Sequence, residues 1–95
     1  MSYVYILKSE KSGRLYIGST EDVQRRLERH NRGLVSATRN FCPWRLAFYQ
    51  QVESLSVARA TEARLKKYKR RDFIEKIISE GVIRAISSSG RATDS

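Results

Sequence analysis

A single cysteine, Cys42, stands in this chain of 95 residues, so neither an internal disulfide framework nor a cysteine-based zinc site can be built. No apolar run approaches the ~18 residues that a membrane-spanning helix needs. Acidic residues are scarce as well: 10 Asp and Glu face 19 Lys and Arg, a formal net charge of +9. Apolar material is not scarce. At 40% of the residues, against 31% charged, it suffices for a core and excludes a wholly disordered chain. One compact domain fits this length, whereas two with separate cores do not. The start, from Met1 to Leu7, reads as a strand with no preceding basic region and no small-residue cleavage site. No secretory signal is expected, and the expected location is the cytoplasm.

The positive charge is concentrated. Residues 24–45 hold Arg25, Arg26, Arg29, Arg32, Arg39 and Arg45 against Glu28, a net +5. Residues 64–71 hold Arg64, Lys66, Lys67, Lys69, Arg70 and Arg71 with no acid, a net +6. The remainder is slightly acidic, at −2. Two such blocks are the footprint of a surface for a polyanion, with nucleic acid favoured over an anionic membrane. No lipidation motif and no large aromatic-rich helix face accompany them.

Along the chain, residues 3–9 and 14–19 are β-branched and aromatic runs joined by Glu10-Lys11-Ser12-Gly13, the pattern of a hairpin. Alternation puts Tyr3, Tyr5 and Leu7 on one face and Val4 and Ile6 on the other, with Leu15 and Ile17 opposed to Tyr16 and Gly18. Ser19 or Thr20 is the expected cap of a first helix, whose first turn carries Glu21 and Asp22 and which runs to about Asn31, with Gly33 as its stop. Residues 33–43 have no period and read as a loop. A third strand is expected from Trp44 to Val52, its start marked by Pro43. Ser54 then caps a second helix, and Asp72 with Glu75 forms a capping box for a third that ends at Gly81. The order is β-β-α-β-α-α, an α+β fold. The domain is expected over residues 1–86, with 82–86 a short helical or extended piece and 87–95 a disordered polar tail.

Three features stand out chemically. On the first helix, Val23 and Leu27 face the core with His30 beside them, and Arg26 lies four residues before His30 at the edge of that stripe. Singly, Arg26 reads as a snorkelling side chain and His30 as a satisfied edge histidine. On the second helix Glu62 falls among Leu55, Ala58 and Leu65, where a carboxylate is costly unless paired, hydrogen-bonded or bound to metal. An ordinary helix-surface pair with Arg59 or Lys66 is one explanation. A divalent ion is the other, since magnesium takes only one or two protein carboxylates and completes its shell with water and phosphate. Tyr5 and Tyr16, in adjacent strands, are by themselves packing residues.

Taken together, Tyr3-Val4-Tyr5, Tyr16-Ile17-Gly18, Arg25-Arg26-Leu27-Glu28-Arg29-His30-Asn31 and Glu62 followed by Leu65-Lys66 resemble the GIY-YIG nuclease domain. The resemblance is to its small stand-alone bacterial branch, which is similar to the N-terminal domain of the excision-repair subunit UvrC, and it covers residues 3 to about 78. It implies a small three-stranded antiparallel sheet flanked by helices and a metal-dependent endonuclease acting on DNA, in repair or processing. It implies Glu62 as the ligand of Mg2+, with Mn2+ as a substitute, and Arg26 as the residue that stabilises charge on the scissile phosphate. By the same resemblance Tyr16 deprotonates or positions the attacking water, Tyr5 supports that network, and His30 orients the water or serves as base. A guanidinium and a metal suit phosphodiester hydrolysis, which builds negative charge on non-bridging oxygens. Arg25, Arg29, Arg32, Arg39, Arg64, Lys66, Lys67, Lys69, Arg70 and Arg71 are the expected contacts to the nucleic-acid backbone. The chain departs from the family pattern at Tyr3, which replaces a glycine, and at Ser19, where the excision-repair subunit has lysine; no asparagine follows Glu62. An inactive nucleic-acid-binding module using the same surface is the alternative function.

Overall fold

The computed structural model describes residues 1–68 and 71–81. Lys69, Arg70, the piece expected over 82–86 and the tail expected over 87–95 lie outside the described residues. Strand β1 (Ser2–Ser9) is the centre of a three-stranded sheet, with β2 (Leu15–Thr20) and β3 (Trp44–Val52) antiparallel on either side. Helix α1 (Val23–Asn31) joins β2 to β3, and helices α2 (Leu55–Tyr68) and α3 (Arg71–Glu80) follow. The expected α+β order is the one observed.

The alternation of β1 divides two cores across the sheet. Val4 and Ile6 pack with Ile17, Phe48, Ala58 and Leu65, together with Ile74 and Ile77 of α3. On the opposite face Tyr5 and Leu7 pack with Trp44, Tyr16, Leu46 and Leu27 of α1. Thus α1 covers one face, and α2 with α3 covers the other. Leu46 and Phe48 share a parity in sequence, yet they serve different cores. A register shift between Ile6 and Leu7, which pair with Phe48 and Leu46, inserts Ala47 as an extra residue and reverses the side-chain alternation there.

The hairpin between β1 and β2 is closed by Ser9. Its hydroxyl accepts from the amides of Lys11 and Ser12, at 3.1 and 3.0 Å, and donates to the Phe41 carbonyl at 2.7 Å. That bond ties the turn to the loop after α1, in which Arg39–Phe41 forms a single 3-10 turn.

Two helix starts differ from expectation. Ser19 and Thr20 remain in β2, paired with Val4 and Tyr3, so the cap moves to Asp22, whose carboxylate accepts from the Arg25 amide at 3.0 Å. Thr20 accepts from the Asp22 amide instead, at 3.1 Å. Helix α3 begins at Arg71, which places Asp72 inside the first turn, and Glu75 accepts from Arg71 Nε at 2.8 Å. Ser54 does cap α2, accepting from the Val57 amide at 3.3 Å. Gly33, at φ +78°, ends α1 in the left-handed conformation that glycine adopts without strain. Asn31 then fastens the helix end to β3, donating to the Trp44 carbonyl at 3.0 Å and accepting from the Trp44 amide at 2.6 Å.

Candidate active site

Tyr5 occupies the middle of the central strand and faces α1, almost wholly buried. Its partner across the β1–β2 pair is Gly18, and a side chain there would fall on the Tyr5 hydroxyl and ring. The glycine therefore makes room for the tyrosine. One hydroxyl oxygen meets two groups from α1: His30 Nε2 at 3.0 Å, and Arg26 Nε, which donates at 3.4 Å. Burial raises the Tyr5 pKa, and the Arg26 hydrogen bond only partly opposes this, so the group stays a neutral phenol at neutral pH.

His30 is fully buried, and its Nδ1 lies 2.8 Å from Thr38 Oγ1. Burial, then the charges of Arg26 and Arg29, lower its pKa to about 4. The imidazole is neutral at pH 7, and both ring nitrogens are engaged inside the protein.

Tyr16, half-buried on the edge strand, stacks edge-on against His30 with ring centroids 4.9 Å apart, and lies 6.4 Å from the Tyr5 ring. Lys66 Nζ lies 5.5 Å from the centre of the Tyr16 ring. The same ammonium pairs with Glu62 Oε2 at 2.7 Å, while Ser19 donates to Oε1 at 2.7 Å. Lys66 thus reaches round the edge of β2, linking the face that carries Glu62 to the one that carries the tyrosines. Glu62 lies at the rim of the apolar stripe rather than within it. Thr61 fills that stripe beside Ala58 and Leu65, its hydroxyl returned to the Val57 carbonyl at 2.8 Å.

Hydrogen bonds therefore join Tyr5, Arg26 and His30, a ring contact adds Tyr16, and Lys66 connects Tyr16 to Glu62. Arg25, Arg29, Arg32, Arg39, Arg64, Lys66, Lys67 and Arg71 are all exposed. Beside Tyr16 opens a groove of about 480 Å³, lined among others by Arg14, Phe41, Trp44, Lys66 and Arg71. Arg14 lies over the Phe41 ring at 4.4 Å. Thr38, Ser19 and Arg14 were not legible as site residues: Thr38 lies in a loop without a period, and the other two acquire their partners only when distant elements meet.

The family model for the GIY-YIG catalytic domain matches residues 1–76. The chain belongs to the GIY-YIG family. Its relatives are small UPF0213 proteins. One from Syntrophus aciditrophicus is 38% identical, over 80% of this chain and 88% of that one. One from Clostridium perfringens is 34% identical, over 86% and 88%. The solution NMR structure of a UPF0213 protein from Bacillus halodurans is similar with a TM-score of 0.53 and 31% identity, covering 94% of this chain and 95% of that one. Membership of the GIY-YIG family implies nuclease activity and hence a nucleic-acid substrate. No helix among the described residues is long and apolar enough to cross a membrane.

Among the described residues no three His, Cys, Asp or Glu side chains gather to hold a metal. GIY-YIG nucleases are in general dependent on a divalent metal, and Glu62 is the carboxylate present beside this site. Glu62 offers hard oxygen donors at the rim of the site, and Oε2 already holds a cation, the half-exposed Lys66 ammonium. Such a carboxylate suits a divalent ion that keeps most of its water.

Proposed function

We propose that the chain is a magnesium-dependent endonuclease that hydrolyses phosphodiester bonds in DNA, acting in the cytoplasm in repair or processing. The observation that carries this reading is the hydrogen-bonded Arg26–Tyr5–His30 cluster, set beside Tyr16 and linked through Lys66 to Glu62.

Glu62 would hold the divalent ion, which supplies positive charge against a phosphate oxygen. Arg26 is half-buried, with its Nε on Tyr5. Its terminal nitrogens serve a second non-bridging oxygen, where a fixed guanidinium stabilises charge that develops in the transition state. Tyr5 is the tether that holds this guanidinium in place. Tyr16 is the tyrosine of the pair that borders the groove, and it positions the attacking water. The exposed bases of α1, α2 and the start of α3 hold the backbone on either side.

DNA as the substrate and repair as the setting rest on the likeness to the excision-repair domain. The test is cleavage of single-stranded, duplex and branched substrates, in DNA and in RNA, with and without Mg2+ or Mn2+, by the wild type, Glu62→Ala and Tyr16→Phe. Metal-dependent cutting lost in Glu62→Ala supports the proposal. Salt-sensitive binding without turnover identifies the chain as a binding module instead.

A further inference from the structure

The mechanism above uses Arg26 and Tyr5 but leaves His30 and Thr38 buried behind them. The directions of their hydrogen bonds can be deduced from both ends of the chain they form. Arg26 Nε can only donate, so Tyr5 must present a lone pair to it and send its own proton elsewhere. His30 Nε2, at 3.0 Å, is the acceptor in reach. A neutral imidazole carries one N–H, which therefore sits on Nδ1 and donates to Thr38 Oγ1 at 2.8 Å. At the far end the Thr38 hydroxyl has its own acceptor, the Val35 carbonyl at 3.3 Å, the local back-bond that threonine makes in turns. Both ends assign the same direction to every link.

We propose that Thr38 is a positioning residue for this site: its hydroxyl fixes His30 as the Nδ1–H tautomer, which makes Tyr5 donate inward and leaves the Tyr5 oxygen free to accept from Arg26. Reversing the tautomer turns the His30 N–H toward Tyr5 and frees the phenol proton to face the Arg26 N–H, donor against donor. Arg26 then loses its tether, although no group touching it has changed. Thr38 is well held for this task. It is almost wholly buried, its carbonyl accepts from the Trp44 indole at 2.9 Å, and its amide donates to Val35 at 3.1 Å. The His30 carbonyl in turn accepts from the Gly33 amide at 3.1 Å and from Cys42 Sγ at 3.1 Å, which fixes the backbone behind the ring.

The effect on catalysis rests on the nuclease reading, but the tautomer does not. The chain has one histidine, so the side-chain 15N resonances of the full-length protein at pH 7 need no assignment strategy. Wild type and Thr38→Ser should show a protonated Nδ1 and a bare, pyridine-type Nε2. Thr38→Val, nearly isosteric, should move the proton toward Nε2 and lower kcat about tenfold to a hundredfold with KM little changed, while Thr38→Ser keeps kcat. A wild-type spectrum with the proton on Nε2 overturns the proposal, as does Thr38→Val with the kcat and tautomer of Thr38→Ser. Should Thr38→Val fail to fold, the wild-type and Thr38→Ser spectra decide the tautomer. Absence of cleavage by a wild type that shows the Nδ1–H tautomer overturns the nuclease reading and supports the hydrogen-bond order.

Discussion

Tyr5 and Gly18 face each other across the central strand pair, and the Tyr5 ring occupies the space that a side chain at position 18 would take. Gly18→Ala is therefore an overpacking change against a buried aromatic ring. It should destabilise the domain by about 1–3 kcal/mol, read as a lower urea midpoint with an unchanged m-value. Cleavage should fall further than stability accounts for, since the displaced hydroxyl is the tether of Arg26. Equal midpoints for variant and wild type would show that the ring has room to move.

His30 makes stability depend on pH. Its native pKa, about 4, lies below the ordinary value near 6.5, so the unfolded chain binds more protons between those values. Stability is fully present above pH ~6.5 and declines toward pH ~4, by at most about 1.4 kcal/mol per pH unit from this group. Urea denaturation of wild type and His30→Gln across pH 4 to 7 isolates the contribution. The variant should be less stable at pH 7 and should lose less on acidification, and parallel profiles would refute the assignment.

Glu62 should separate function from stability. Its ion pair with Lys66 sits at the surface, with the lysine half-exposed, and such pairs contribute little to folding. Glu62→Gln should leave the urea midpoint within about 0.5 kcal/mol of wild type while cleavage falls about a hundredfold or more. Loss of folding cooperativity in this variant would mark Glu62 as structural.

The groove beside Tyr16 should be visible in salt dependence. Binding that neutralises ~6 phosphates gives a log–log slope with salt of about −5. Arg14→Ala and Arg71→Ala, both in the groove lining, should each reduce the slope by about one in fluorescence-anisotropy titrations of labelled DNA. Arg45, which lines a separate concavity with Lys8 and Glu75, serves as the comparison, and its removal should have a smaller effect.

Strands and faces were legible because strand periodicity is local: Val4 and Ile6 separate from Tyr5 and Leu7 on alternation alone. The Ser54 cap was legible for the same reason. The α1 cap was not, because pairing of Ser19 and Thr20 with β1 keeps both extended, and partners 15 and 17 positions away (Val4↔Ser19 and Tyr3↔Thr20) leave no local mark. The bulge that separates Leu46 from Phe48 is likewise a property of two strands together. Of the site, the residue types were visible in the motifs, but their connections were not. Glu62 looked embedded among apolar residues, whereas Thr61 takes the buried position and the carboxylate emerges at the rim beside Ser19. Thr38 belongs to a stretch without periodicity, and its meaning arises only through His30.

The side-chain amide of Asn31 meets the amide and carbonyl of Trp44 as a neighbouring strand's peptide would. It acts as one surrogate peptide group added to β3, and it makes the end of α1 a rider on the sheet. Arg26 lies five residues earlier on the same rigid helix, about 7.5 Å along its axis. The register of β3 is thereby converted, through that one clasp, into the position of a guanidinium.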